Sequence, residues 1–174
     1  MRWIWIDKFV DFQPKKYAAA VKCATLAEEH LHDLYPDFPI VPHSLIVEGM
    51  AQTAGILVGE ARDFKEKVVL AKVGKAVFHQ LVRPGDTIIF KATVEQLNEV
   101  GASISGRVEM YTPVPTTCPD QTQVAPPVAE IELMFSHVDQ NFSGIKFPEH
   151  NFVFEDEMFM NLLKDYYRRT TYGI

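Results

Sequence analysis

Between Leu45 and Ala61, apolar or small residues fill almost every position of a helical wheel. Leu45, Ile46, Val47, Met50, Ala51, Ala54, Ile56, Leu57, Val58 and Ala61 leave no continuous polar face. The pattern predicts a core helix enclosed on nearly every side. It follows a loop punctuated by Pro36, Pro39 and Pro42, with Ser44 as the expected N-cap. Glycines at 49, 55 and 59 and the polar pair Glu48 and Gln52 interrupt the run, which excludes a transmembrane span.

Elsewhere the hydrophobic period is two. Residues 2–12 and 17–25 read as an antiparallel pair around a turn at Gln13–Lys16, and 26–33 as a short helix or turn. Residues 67–82 and 87–98 read as long strands around the turn Arg83-Pro84-Gly85-Asp86. Segments 101–112 and 127–139 complete the set, the second alternating outward Glu130 and Glu132 with inward Ile131 and Leu133. The proline-rich stretch between them reads as a surface loop. After Asp139 the pattern changes: residues 155–169 put acids first, bases last, and Met158, Phe159, Leu162, Leu163 and Tyr166 on one stripe. That is an amphipathic helix whose charges complement its dipole and whose stripe is packing surface.

One wholly apolar helix and roughly six strands are satisfied most economically by a curved antiparallel sheet wrapped around the helix, an α+β hotdog fold. Residues 1–140 form the expected single domain, and 141–174 an extension whose helix packs on it. A net charge of −6 and a pI near 5.5 argue against nucleic-acid binding. The N-terminus alternates like a strand and has no signal-peptide core or membrane anchor. Cys23 and Cys118 have neither metal-ligand spacing nor a disulfide framework, so no metal is expected and the cytoplasm is the default.

The chemical interest lies at Glu48 and Gln52, four residues apart on one helix face near its N-terminus. A carboxylate inside such a helix is costly unless paired, hydrated or used. Composition alone leaves open a structural acid beside the positive helix end.

The stretch from Leu34 to Gln52 resembles the signature of the 3-hydroxyacyl-acyl-carrier-protein dehydratases, roughly H-F-P-G-x-P-x-x-P-G-x-L-x-x-E-A-x-A-Q. Pro36, Pro39, Pro42, Leu45, Glu48, Ala51 and Gln52 match in register without a gap. The segment LAKVGKAVFHQLVRPGDTIIF also looks like the family's, through Phe78, Val82, Pro84, Gly85 and Asp86. The resemblance covers about residues 4–139 and implies dehydration of a 3-hydroxyacyl thioester, carried by acyl carrier protein or CoA, with no cofactor. It also implies a homodimer, or a higher oligomer of dimers, whose sites combine residues of both subunits. In such a reaction a base takes the α-proton, an acid protonates the departing hydroxyl, and a backbone N–H holds the thioester oxygen. Glu48 stands at the acid position, and the amide of His43 at that of the oxyanion-holding glycine. Leu34, Tyr35, Phe38, Pro42, Ser44 and Gln52 fall where substrate-binding residues are expected.

The departures are as informative. Leu34 occupies the place of the family's catalytic histidine and cannot accept a proton, while Asp37 and His43 replace motif glycines. His43 at the helix entrance is the first choice for a relocated base. His30 and His32 read as exposed loop histidines that reach the site only if the loop is re-routed, and Tyr35 and Asp37 as polar candidates for the same role at loop positions where solvent exposure is the alternative. His79 reads as a surface or satisfied histidine, and Cys23 as a small packed hydrophobe. Two other readings stay open: a hotdog thioesterase, or a non-catalytic acyl- or carrier-binding subunit of a heteromer whose histidine-bearing paralogue supplies the base.

Overall fold

The computed structural model describes residues 4–111, 126–138, 141–142, 145–146 and 157–172. The proline-rich segment expected as a loop lies almost wholly outside them. The elements are β1 (Lys8–Gln13), β2 (Tyr17–Cys23), α1 (Glu29–Asp33), α2 (His43–Glu60), β3 (Lys67–Phe78), β4 (Thr87–Leu97), β5 (Gly101–Met110), β6 (Ala129–Val138), the short pair β7 (Asn141–Phe142) and β8 (Ile145–Lys146), and α3 (Glu157–Tyr172). Strands β1–β6 form one antiparallel sheet in the order β1-β2-β4-β5-β6-β3, and α2 packs across β2 to β6. This is the hotdog architecture.

The register explains how a helix fits the sheet. One cross-strand row on the inner face runs Phe9, Ala20, Phe90, Val108, Ala129, Phe78, and the next runs Phe12, Ala18, Ala92, Gly106, Ile131, Ala76. The second row is mostly small, so the helix can sink into it. A Cβ on Gly106 would lie 2.7 Å from Met50 Sδ, and one on Gly49 would lie 2.2 Å from Phe90 Cζ. Ile46, Met50, Ala54, Leu57, Val58 and Phe90 are completely buried. Burial of this apolar set is the main force seating α2.

Three expectations need correction. Pro42, at φ −56°, is the N-cap residue, and α2 opens at His43; Ser44 lies exposed inside the first turn. Val41 N–H donates to Val82 O at 2.8 Å, which ties down the loop so that the helix opens two residues early. Enclosure is complete only from Thr53 to Gly59; in the first turns Ser44 is exposed and Val47, Glu48, Ala51 and Gln52 are half-buried. The turn at Arg83–Asp86 does not join sheet neighbours, because β3 lies at the far edge beside β6 while β4 pairs with β2 and β5. Residues 79–86 instead cross over, pinned by His79 N–H to Val128 O, Gly85 N–H to Ala24 O and Ala24 N–H to Asp86 O. Gly85, at φ +95°, permits the turn.

The two sheet edges differ. β1 is short, has a register shift between Phe9 and Asp11, and is packed by α3 through Phe12 against Tyr166 and Tyr167, with Leu163 buried. β3 is twelve residues long, its far edge carries no strand among the described residues, and Val69, Leu70 and Val73 are exposed.

Candidate active site

Ser44, Glu48 and Gln52 share one stripe of α2, because residues four apart stack on a helix face. Gln52 Nε2 donates to Glu48 Oε1 at 2.7 Å, and Gln52 Oε1 accepts the Trp5 backbone N–H at 2.8 Å. A backbone N–H can only donate, so the Gln52 oxygen must face Trp5 and its NH2 must face Glu48. The carboxylate is therefore held from outside its own helix. At the helix entrance, intrahelical bonding starts with Leu45 N–H to Pro42 O at 2.9 Å, and the amides of His43 and Ser44 precede it. Such leading amides, at the positive end of the helix, suit a developing oxyanion.

His43 does not join Glu48. Five residues apart, the two side chains diverge by about 140° around the helix. The imidazole is stacked on Phe78, with centroids 4.0 Å apart and planes 3° from parallel. Leu34, Tyr35 and Phe38 are 57%, 50% and 46% exposed, and the Arg83 guanidinium lies 4.7 Å over the Phe38 ring. Within one chain these loop residues present an apolar lip to solvent rather than line a closed cavity over Glu48. Pro42 is half-buried where the lip meets the helix.

Among the other histidines, His32 and His79 are exposed, and His79 Nε2 stands 3.7 Å from Glu130 Oε2 on the outer sheet face. His30 departs from its expected exposure. It is half-buried in α1, edge-on to the Trp5 ring at 5.2 Å, with Nε2 3.3 Å from Glu28 Oε2. Trp5 and Gln52 lie between it and Glu48. Cys23 also departs: as the last residue of β2 it is exposed. Tyr35 and Asp37, the polar loop candidates, are both exposed. Among the described residues no group of three or more His, Cys, Asp or Glu side chains could hold a metal ion, and no helix is long and apolar enough to cross a membrane.

Sequence reasoning did not find Trp5 or Phe78 as parts of this region. Trp5 contributes a backbone group, which no residue pattern announces, and Phe78 is a motif phenylalanine whose stacking partner His43 stands where the family has glycine.

A long apolar helix wrapped by a six-stranded antiparallel sheet, with a carboxylate on the helix near its entrance, defines a hotdog protein with an acid-bearing helix. The FabA-like domain family matches residues 4–111, and the chain belongs to that family. The 3-hydroxyacyl-[acyl-carrier-protein] dehydratase FabZ of Caldanaerobacter subterraneus subsp. tengcongensis is 37% identical over 93 residues, which are 53% of this chain and 66% of that relative. Among solved structures, the dehydratase heterocomplex ApeI:P from Xenorhabdus doucetiae superposes with a TM-score of 0.58 at 11% identity, covering 79% of this chain and 84% of that one. A thioesterase from Pseudomonas aeruginosa gives 0.55 at 14% identity, covering 75% and 79%. At these identities the structural likenesses speak for the fold alone.

Proposed function

We propose that this chain is a subunit of a hydro-lyase that converts 3-hydroxyacyl thioesters of acyl carrier protein or CoA to trans-2-enoyl thioesters. In that reaction a base takes the α-proton and the Cα–Cβ double bond forms. The Cβ–O bond breaks, and the hydroxyl leaves as water with a proton from the Glu48 carboxylic acid. The first amides of α2 hold the thioester oxygen as negative charge develops on it. The observation that carries this reading is Glu48: it stands at the family's acid position, half-buried, with one oxygen bonded to Gln52.

The base comes from a second chain. His43 points away from its own Glu48, so it can serve only across a dimer interface, in keeping with the family's opposite-subunit arrangement. The surface for such a dimer is on hand. Leu70 and Val73 pair in register with buried Phe135 and Leu133, so they face the helix side of the sheet, yet they are 38% and 41% exposed. Together with the half-buried stripe of α2, the apolar lip and the bare edge of β3, they form a surface that a second copy would cover.

A second reading has its own observation. Leu34, at the histidine position, offers an exposed apolar side chain and no proton acceptor. If a histidine-bearing paralogue pairs with this chain, this chain contributes Glu48 and the helix amides alone. Kinetics on a panel of 3-hydroxyacyl and saturated acyl thioesters, read by mass spectrometry, separates the accounts. For the active homodimer, His43→Gly and Glu48→Gln should each lower turnover by about 10²-fold or more. For the heteromer subunit, Leu34→His should raise activity from none. Release of free acid from the saturated thioesters, with no enoyl product from the hydroxy ones, would instead mark a thioesterase. Full turnover in Glu48→Gln would overturn the assigned acid.

A further inference from the structure

The Glu48–Gln52 pair is anchored by a part of the chain distant in sequence. Trp5 is 3% exposed and lies in the segment before β1, outside the strand itself. Its backbone N–H reaches Gln52 Oε1 at 2.8 Å across a sequence separation of 47 residues. Its ring is gripped on two sides: Lys22 Nζ lies 4.7 Å above the centroid, and His30 meets it edge-on at 5.2 Å. The clamp is itself braced. Lys22 is only 8% exposed, donates to Glu28 Oε1 at 2.7 Å, and stands 3.6 Å from Asp7 Oδ1. Glu28 Oε2 also stands 3.3 Å from His30 Nε2, without a hydrogen bond between them, so the three side chains surround the indole. A lysine this buried is costly unless its charge is met, and here two carboxylates and an aromatic face meet it.

The arrangement has a chemical consequence. Because the Gln52 oxygen faces Trp5, its NH2 donates to Glu48 Oε1, and a carbonyl oxygen accepts such a bond better than a hydroxyl oxygen does. The bond therefore favours Oε2 as the oxygen that carries the proton of a neutral Glu48. An acid delivering a proton to a leaving hydroxyl benefits from having one oxygen assigned to that task and the carboxyl plane fixed in advance.

We propose that Trp5 is a positioning residue for Glu48. Its backbone N–H sets the orientation of the Gln52 amide, and the Lys22–Glu28–His30 clamp on its indole holds that backbone in place. The expected effect on turnover rests on the dehydratase reading; the effect on the Gln52 amide does not. This separates the two in one experiment. Protein labelled with 15N in its glutamine side chains shows the Gln52 Nε2 proton pair as the signals that vanish in Gln52→Glu. Trp5→Phe shrinks the gripped ring, and Lys22→Met removes the clamping charge while keeping its aliphatic stem. In both variants the Gln52 Nε2 protons should exchange with solvent about 10-fold faster, and kcat should fall about 10-fold with KM within about twofold. Unchanged exchange in both folded variants would overturn the proposal. So would faster exchange with unchanged kcat in an enzyme that is active as wild type. A wild type that turns over no thioester by itself refutes the active-homodimer reading, and the exchange rates then decide by themselves whether Trp5 orients Gln52.

Discussion

Gly49→Ala measures how closely α2 is seated on the sheet. The added Cβ would lie 2.2 Å from Phe90 Cζ and 2.6 and 2.8 Å from the two Cε atoms. Carbon atoms at ordinary contact are about 3.5–4.0 Å apart, so helix and ring must separate by more than about 1 Å. Phe90 has nowhere to go: it is completely buried, with Ala20 and Val108 beside it in register. Overpacking of this kind costs about 1–3 kcal/mol. Against a ring that cannot yield, the upper part of that range applies, about 2–3 kcal/mol; alanine recovers roughly 0.8–1.0 kcal/mol over glycine inside a helix, which leaves a net loss of about 1–2 kcal/mol. At 2–4 °C per kcal/mol for a chain of this size, the melting temperature should fall by about 2–8 °C in a circular-dichroism or calorimetric scan. Gly74→Ala is the control, since its Cβ would meet nothing closer than 3.6 Å, and it should stay within about 0.5 kcal/mol of wild type. A Gly49→Ala protein melting at or above the wild-type temperature would show that the helix can ride up without loss, and the tight seat described above would be wrong. Glu48 is the preceding residue, so the same shift should lower turnover at temperatures where the variant is fully folded.

Two further outcomes follow from the surfaces and charges. The wild type should scatter light as a dimer at micromolar concentration and Val73→Glu as a monomer with little turnover; a monomeric wild type would remove the shared site. His137 should make stability depend on pH. Burial lowers its pKa, Glu66 opposes that and Arg62 assists it, with Nδ1 3.2 Å from Glu66 Oε2 and the side chain 3% exposed. The unfolded chain therefore takes up a proton near pH 6.5 that the folded chain still refuses. The stability that the neutral ring contributes is present above that pH and is lost as pH falls through it. Urea titrations at pH 8 and pH 5.5 should show the wild type losing more stability than His137→Gln, and equal losses would count against the assignment.

What could be read from the residues was whatever local pattern encodes. The long apolar helix, the alternation of Glu130, Ile131, Glu132 and Leu133, and the antiparallel pairing of β1 with β2 emerged as expected, although the helix is enclosed all round only in its second half. The crossover between β3 and β4 did not, because a Pro-Gly turn reports only that the chain reverses and not which strand lies beside it. Residues 79–86 are placed by backbone bonds to Val128 and Ala24, and backbone groups are alike in every residue. The candidate site divides in the same way. Glu48 and Gln52 were visible as polar positions in an apolar helix, and their 2.7 Å bond follows from four-residue spacing. Trp5 was invisible for the same reason as the crossover. His43 was visible as a titratable group at the helix entrance, but its attraction to the Phe78 ring is a tertiary contact that outweighs proximity in sequence.

The contrast between the two sheet edges limits how these molecules can associate. A sheet with two bare edges could add strands at either side without end, as fibres do. Here one margin is short, irregular and backed by α3, while β3 at the other is long and, among the described residues, bare. If β3 pairs with its own copy about a two-fold axis, both bare margins are consumed in a single contact, and the enlarged sheet ends on two protected strands. Growth by edge pairing would then terminate after one step, and the same asymmetry that invites a partner would set the size of such an assembly. A lesion that frees α3 from β1 would then be expected to produce open-ended aggregation rather than a loose dimer.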